Sequence, residues 1–230
     1  MDFSQMVLDK NGYIVVRLDG KGFSKLTKEK FEKPFDTRFH TAMVNAVSRL
    51  MERLQAVFAF SGSDEVTLLF PPNYELYNRR VEKLLSIPAG EMSALFSMEI
   101  GSPASFDSKL FAFSEQCSVF ANIRDRAESV AKNAINDALY WYLVKREGYS
   151  CRKAHRFTLN LPTSEKAAIL RDKGYFADIP TWAFGFCAYW QEYQVEGFNP
   201  ITQESVMATR RKIVVQDYHS DRLTTILSII

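Results

Sequence analysis

A chain of 230 residues, 47% hydrophobic and 24% charged, is long enough to bury the core of one large domain, or of one domain with an appended lobe. A net charge of +2 excludes a polyanion binder written into the overall composition and leaves that role to local basic patches. Three cysteines (Cys117, Cys151, Cys187) without a CxxC spacing, and three scattered histidines (His40, His155, His219), argue against a disulfide framework, a zinc centre or a Ser-His-Asp triad.

Residues 1–5 carry neither a basic n-region nor an apolar h-region, and no apolar run has the length of a membrane span. The expectation is a soluble, unprocessed cytoplasmic protein with no membrane partner. Residues 13–18 are Val/Ile-rich, bounded by Asn11-Gly12 and Gly20, and read as a buried strand. Residues 21–35 read as a loop or short helix stopped by Pro34. Asp36 or Thr37 caps a helix over 37–55, whose Phe39, Met43, Val47, Leu50, Met51 and Leu54 recur at three- and four-residue spacing. Residues 57–60 and 66–70 flank SGSDE, a hairpin signal in which Gly62 is expected to supply the permissive backbone.

Helices are expected over 74–86 and 91–99, then a strand over 105–113. A long helix over 122–147 ends at Gly148, and a short helix spans 164–171. Residues 184–193 and 206–215 suit a closing hairpin. The order strand, helix, strand, strand, helix, strand gives an α+β fold. A ferredoxin-like antiparallel sheet with helices on one face occupies residues 1–116, and a mainly helical C-terminal lobe occupies residues 117–230.

Two acidic motifs stand where apolar strands run into turns: YIVVRLDGKGFS around Asp19 and FAFSGSDEVTLLF around Asp64. In this element order the two turns lie side by side, so Asp19 and Asp64 face each other at one sheet edge. Mg²⁺ is held by one or two carboxylates with substrate phosphates and water, and the Gly20 carbonyl can complete the shell. The amides of Lys21, Gly22, Phe23 and Ser24 can form a concave nest for triphosphate oxygens, and Ser63 can donate to the same nucleotide. A structural turn would explain either motif alone. The pair points to nucleotidyl transfer with two Mg²⁺ ions, Asp19 and Asp64 acting with Glu65 as a further acid. Basic clusters gather in the C-terminal half, among them Arg124, Arg126, Lys132, Arg152, Lys153, Arg210 and Arg211. If they form one face, that face suits RNA phosphates.

Taken together, VVRLDGKGFSKLTK, EKPFD, FSGSDEVTLLF, NRRVEKLLS, FDSKLF and TRRKI resemble the tRNA-His guanylyltransferase family. Within it they resemble the guanylyltransferase-like 3′-5′ polymerases. The resemblance runs from about Gly12 to Ile213 and implies a polymerase-palm-like sheet. It also implies addition of nucleotides to the 5′ end of tRNA, after ATP or GTP activates the 5′-phosphate, with GTP or another NTP as the incoming nucleotide. By position it assigns Asp19, Gly20 and Asp64 to two Mg²⁺ ions, and Asp19 through Ser24, Ser63 and Asp64 to nucleotide binding. It places Lys33 and Asp36 near the triphosphate, and Arg80 and Lys83, beside Arg79, on phosphates. It assigns Arg126, Asn133, Lys132 and Lys153 to RNA, and it implies a homotetramer built as a dimer of dimers. Ser129 and Ala131 stand where the family has Asp and a basic residue, which points to templated 5′-end repair of several tRNAs rather than strict tRNA-His guanylylation. The competing readings are a palm-type nucleotidyl cyclase, for which SGSDE is the feature, and a non-catalytic RNA-binding relative.

Overall fold

The computed structural model describes residues 5–218 apart from residue 202. Residues 1–4, read above for a leader, and His219 lie outside the described residues. Six strands and six α-helices are present among them. Strand β1 (Tyr13–Lys21) leads through α1 (Phe23–Lys30) and α2 (Thr37–Leu54) to the hairpin β2 (Phe58–Gly62) and β3 (Glu65–Phe70). Helix α3 (Val81–Ile100), β4 (Ser105–Phe113), α4 (Gln116–Lys145), α5 (Cys151–Leu159) and α6 (Thr163–Asp172) follow, then β5 (Phe186–Asn199) and β6 (Glu204–Asp217). The sheet order is β4-β1-β3-β2-β5-β6, antiparallel throughout. Its first four strands stand in the order that the sequence pattern implies.

The core explains why 13–18 shows no polar alternation. Ile14, Val16 and Leu18 pack under α2 and α3, while Val15 packs against the opposite layer. A strand covered on both faces reads as one apolar run. The expectation of helices on one face is therefore corrected. Val119, Ile123, Ala127 and Val130 of α4 cover the second face, against Phe58, Phe60, Leu69 and Cys187. The second half of α4 builds a further core with α5 and α6 through Leu139, Leu143, Ala154 and Leu170.

Other expectations change in instructive ways. The two helices expected over 74–86 and 91–99 are one helix, α3, which passes through Pro88. Proline removes a helix hydrogen bond, yet burial of Leu84, Met92 and Phe96 on the same helix outweighs that cost. The stretch before α3 instead holds a 3₁₀ turn, Leu76–Arg79, in which Tyr77, Asn78 and Arg79 all have positive φ. Helix α4 begins six residues before the expected 122. Helix α5 was not legible in the pattern; the Ser150 side chain caps it by accepting from the Lys153 amide. The closing hairpin is longer than expected, and β5 pairs with β2, so it extends the same sheet. No helix of the described residues is long and apolar enough to cross a membrane.

Gly62 also has a different reason. It sits in β2, and the left-handed residue of the turn is Ser63, with φ 54°. A Cβ on Gly62 would lie 2.4 Å from Val130 Cγ1, so glycine is required for α4 to approach the hairpin. Gly62→Ala is expected to destabilise the fold by about 1–3 kcal/mol through overpacking. Val130→Ala in the same chain should recover part of that loss, as measured by chemical denaturation.

Candidate active site

The end of β1 and the β2–β3 turn build the site. Asp19 stands in register with Glu65 on β3 and with Asp107 on β4, so three acids share one face of the sheet end. Asp107 was not singled out from the sequence. The Gly20 amide donates to the Asp64 carbonyl at 3.1 Å, closing β1 onto the turn. A Cβ on Gly20 would meet the Phe23 ring at 2.4 Å and Asp64 Oδ2 at 2.7 Å, so the Asp64 carboxylate lies directly over the glycine backbone. Ser63 Oγ donates to Asp64 Oδ1 at 3.1 Å.

Burial in the pocket wall pushes the Asp64 carboxyl above its ordinary range, and the Asp19 charge pushes the same way. A backbone amide, the Ser63 hydroxyl and Lys33 oppose them. Glu65 is also raised, first by burial, against the pull of Arg126. Arg126 is ion-paired with Glu65. Beside them Arg17 donates to Asn122 Oδ1 at 3.0 Å and lies over the Phe111 ring. Among the described residues no cluster of three His, Cys, Asp or Glu groups closes around one point. Two carboxylates and the open backbone of Gly20 nonetheless fit Mg²⁺, which takes its remaining ligands from phosphates and water.

A cavity of about 350 Å³ opens from this centre between α1, the loop to α2, the hairpin turn and α4. Ser63, Asp64, Glu65 and Arg126 line its polar side; Phe31, Phe35 and Trp182 line its aromatic side. Trp182 stacks on His40 with centroids 4.7 Å apart. Lys33 projects into the cavity, its Nζ donating to Thr27 Oγ1 at 2.6 Å. Burial lowers the Lys33 ammonium's affinity for its proton, while Asp137 and then Asp64 raise it. Asp137, a pocket residue that the sequence reading missed, follows Arg126, Val130 and Asn133 at helical spacing on one face of α4. That periodicity was the available signal.

The remaining candidates divide. Ser24 and Asn133 line the cavity, whereas Lys21 and Gly22 are exposed beside it. Phe23 is buried among Phe39, Phe96 and Phe106. Asp36 caps α2: its carboxylate accepts from the Arg38 and Glu32 amides and from the Arg38 guanidinium, which holds it down to about 2. Arg79 is a buried clamp whose guanidinium donates to the carbonyls of Gly12, Pro72 and Tyr74. Arg80 and Lys83 follow it at the start of α3, and neither lines the cavity. Lys132 pairs loosely with Glu128, Lys153 sits 3.6 Å over the Tyr149 ring on α5, and Arg210 and Arg211 lie on β6. The RNA candidates thus occupy three places: the α4 wall, α5 and the outer hairpin.

A family model for tRNAHis guanylyltransferases matches residues 2–122, more than half of the chain. The chain belongs to the tRNAHis guanylyltransferase family. The tRNA(His) guanylyltransferase of Schizosaccharomyces pombe is 32% identical over 174 residues, covering 70% of this chain and 66% of that protein, just under two thirds of its length. The Debaryomyces hansenii enzyme is 28% identical over 232 residues, covering 91% and 86%. An uncharacterized protein of Acanthamoeba polyphaga mimivirus is 40% identical over 101 residues, 39% of this chain and 34% of that one. Among solved structures, the Saccharomyces cerevisiae tRNA(His) guanylyltransferase superposes with a TM-score of 0.72 at 22% identity, over 79% of this chain and 87% of that one. A bacterial guanylyltransferase-like protein in complex with ATP gives 0.71 at 20% identity, over 96% and 90%. Its complex with GTP gives 0.66 at 19%, over 96% and 89%. These likenesses establish a guanylyltransferase-like fold.

The raised Asp64 carboxyl has a measurable consequence for this family member. The folded protein holds that proton more tightly than the unfolded chain, so ionised Asp64 lowers stability above the ordinary carboxylate range. Asp64→Asn is expected to raise the melting temperature at pH 7–8. The gain should shrink as pH falls to about 4, where the unfolded carboxyl also protonates.

Proposed function

We propose that this protein is a 3′-5′ nucleotidyltransferase that adds nucleotides to the 5′ end of tRNA. The observation that carries the reading is the approach of the Asp64 carboxylate to Gly20, next to Asp19 at the end of β1, with Asp64 and the ammonium of Lys33 lining one cavity, in a chain of this family. In the first step a 5′-phosphate oxygen of the RNA attacks the α-phosphorus of ATP or GTP, and pyrophosphate leaves. In the second the 3′-hydroxyl of an incoming NTP attacks the activated 5′ phosphorus, and the nucleoside monophosphate leaves; a 5′-triphosphate end enters here directly and loses pyrophosphate. Asp19, Asp64 and the Gly20 carbonyl would hold two Mg²⁺ ions, which supply Lewis-acid activation of the attacking oxygen and charge neutralisation on the leaving group. Lys33 and Ser63 bind triphosphate oxygens by charge and hydrogen bond. The aromatic wall of Phe31, Phe35 and Trp182 receives a base and keeps water from the reacting phosphorus. The sheet end serves as a polymerase-like palm, and the lobe of α5 and α6 lies beside it.

RNA reaches this centre along basic side chains. Arg152, Lys153 and Arg156 are exposed together on α5. Arg210 and Arg211 offer a separate positive surface on β6, past the Phe58 end of β2 and away from the Asp64 turn. We place Arg80 and Lys83 on RNA held by a neighbouring subunit of a cytoplasmic homotetramer, because neither lines the cavity of its own chain. Ser129 donates its hydroxyl to the Asp125 carbonyl, one turn back along α4, and offers no acid at the position where the family has Asp. That supports templated repair of several tRNAs over strict tRNA-His guanylylation.

Asp19→Ala and Asp64→Ala should each slow nucleotide addition on the order of 10³-fold or more, by loss of two-metal stabilisation. The measurement uses a 5′-truncated tRNA, ATP and each labelled NTP in turn, and the nucleotide added should pair with the opposing acceptor-strand base. Equal addition of all four NTPs, or a cyclic product from GTP alone, counts against the proposal. Replacing Arg152, Lys153 and Arg156 with Ala should weaken all tRNAs alike and flatten the log-affinity against log-salt slope by about 2.

A further inference from the structure

Two cations line the cavity, and they are held differently. Arg126 is ion-paired with Glu65. Lys33 makes no ion pair among the described residues; its Nζ donates to the neutral Thr27 hydroxyl. Two carboxylates share the cavity with that ammonium without pairing to it, Asp64 from the hairpin turn and Asp137 from α4, and both favour its charge. Helix α4 also grips the same residue by its main chain, where Lys145 Nζ donates to the Lys33 carbonyl at 2.5 Å. Asp137 projects from α4 two turns before Lys145 and lines the cavity.

An ammonium in a partly desolvated pocket with a single carboxylate closes onto it, because the attraction grows as water is excluded. Here Lys33 shares the cavity with two carboxylates carried by different elements, and its Nζ rests on Thr27 rather than on either. We propose that Asp137 is a positioning residue that acts through Lys33, drawing the ammonium towards α4 and off Asp64. The Asp64 carboxylate then stays open to a divalent cation, and the ammonium stays open to polyphosphate. The inference rests on the function proposed above. It assigns Asp137 no contact with substrate.

Without Asp137, Lys33 closes on Asp64 and competes with the divalent cation for the same oxygens. The test is equilibrium binding of Mn²⁺ to the full chain, free ion being counted by electron paramagnetic resonance, without RNA or nucleotide. Asp137→Asn should weaken Mn²⁺ binding about 5-fold or more, and Asp137→Glu should stay near the parent. The deciding arm is the Lys33→Gln background, in which Asp137→Asn should change Mn²⁺ binding little, because the competitor is gone. Parent-like binding by Asp137→Asn overturns the inference alone. So does a loss of equal size in the Lys33→Gln background, which would show a direct field of Asp137 on the metal. Absence of Mn²⁺ binding by the parent overturns the metal assignment of Asp19 and Asp64, and this inference with it.

Discussion

From Ile14 to Leu18, β1 is committed to cores on both sides, and that commitment fixes which way the next residues point. Ile14, Val15, Val16 and Leu18 are fully buried, so β1 cannot slide against β3 or β4 without carrying apolar side chains to the wrong layer. The register sets Asp19 opposite Glu65 and delivers Gly20 to the Asp64 carbonyl. The acids need not find each other by their own attraction, which is repulsive. They are brought together by strand pairing whose energy comes from elsewhere in the sheet.

That forced approach explains the electrostatics around it. Carboxylates held close in a desolvated wall resist ionisation, and the chain answers with cations of two kinds. Arg126 and Arg17 stand on the α4 side, where Arg126 neutralises Glu65 and supports the hairpin. Lys33 stands in the cavity and is not paired off. A site with every carboxylate captured would be more stable; here Asp64 stays uncaptured, its carboxyl pushed up first by burial and further by the Asp19 charge.

Helix α4 joins these parts. Its first half covers the second face of the sheet, its middle lines the cavity, and its end carries the helical lobe. Close packing makes this a stiff connection: Gly62 leaves Val130 no spare room against β2. Displacement of α4 would therefore be felt at the hairpin turn that holds Asp64.

Much of the fold was legible because its signals are local. The Val/Ile run of β1, the helical spacing of α2 with its Asp36 cap, and the SGSDE turn each report short-range physics. So do Asp19 and Asp64 as candidates, since strand ends followed by turn residues are readable in order. What the residues alone could not give were contacts between distant segments. Pro88 suggested a break, and only burial of Leu84, Met92 and Phe96 makes α3 continuous. Gly62 suggested a turn glycine, and only the arrival of Val130 shows it to be a packing glycine. Arg79 suggested a phosphate ligand, and only the carbonyls of Gly12, Pro72 and Tyr74 show it to be a clamp. Asp137 showed in sequence only as helical spacing after Arg126, Val130 and Asn133, because a carboxylate on a helix face acquires meaning from the lysine that shares its cavity, 104 positions away. The sequence by itself determined most of the elements and offered Asp19 and Asp64 as candidates, because propensity and periodicity act over a few residues. Tertiary structure decided which charges are captured and which remain free, because that depends on burial and on distances between segments that no local pattern encodes.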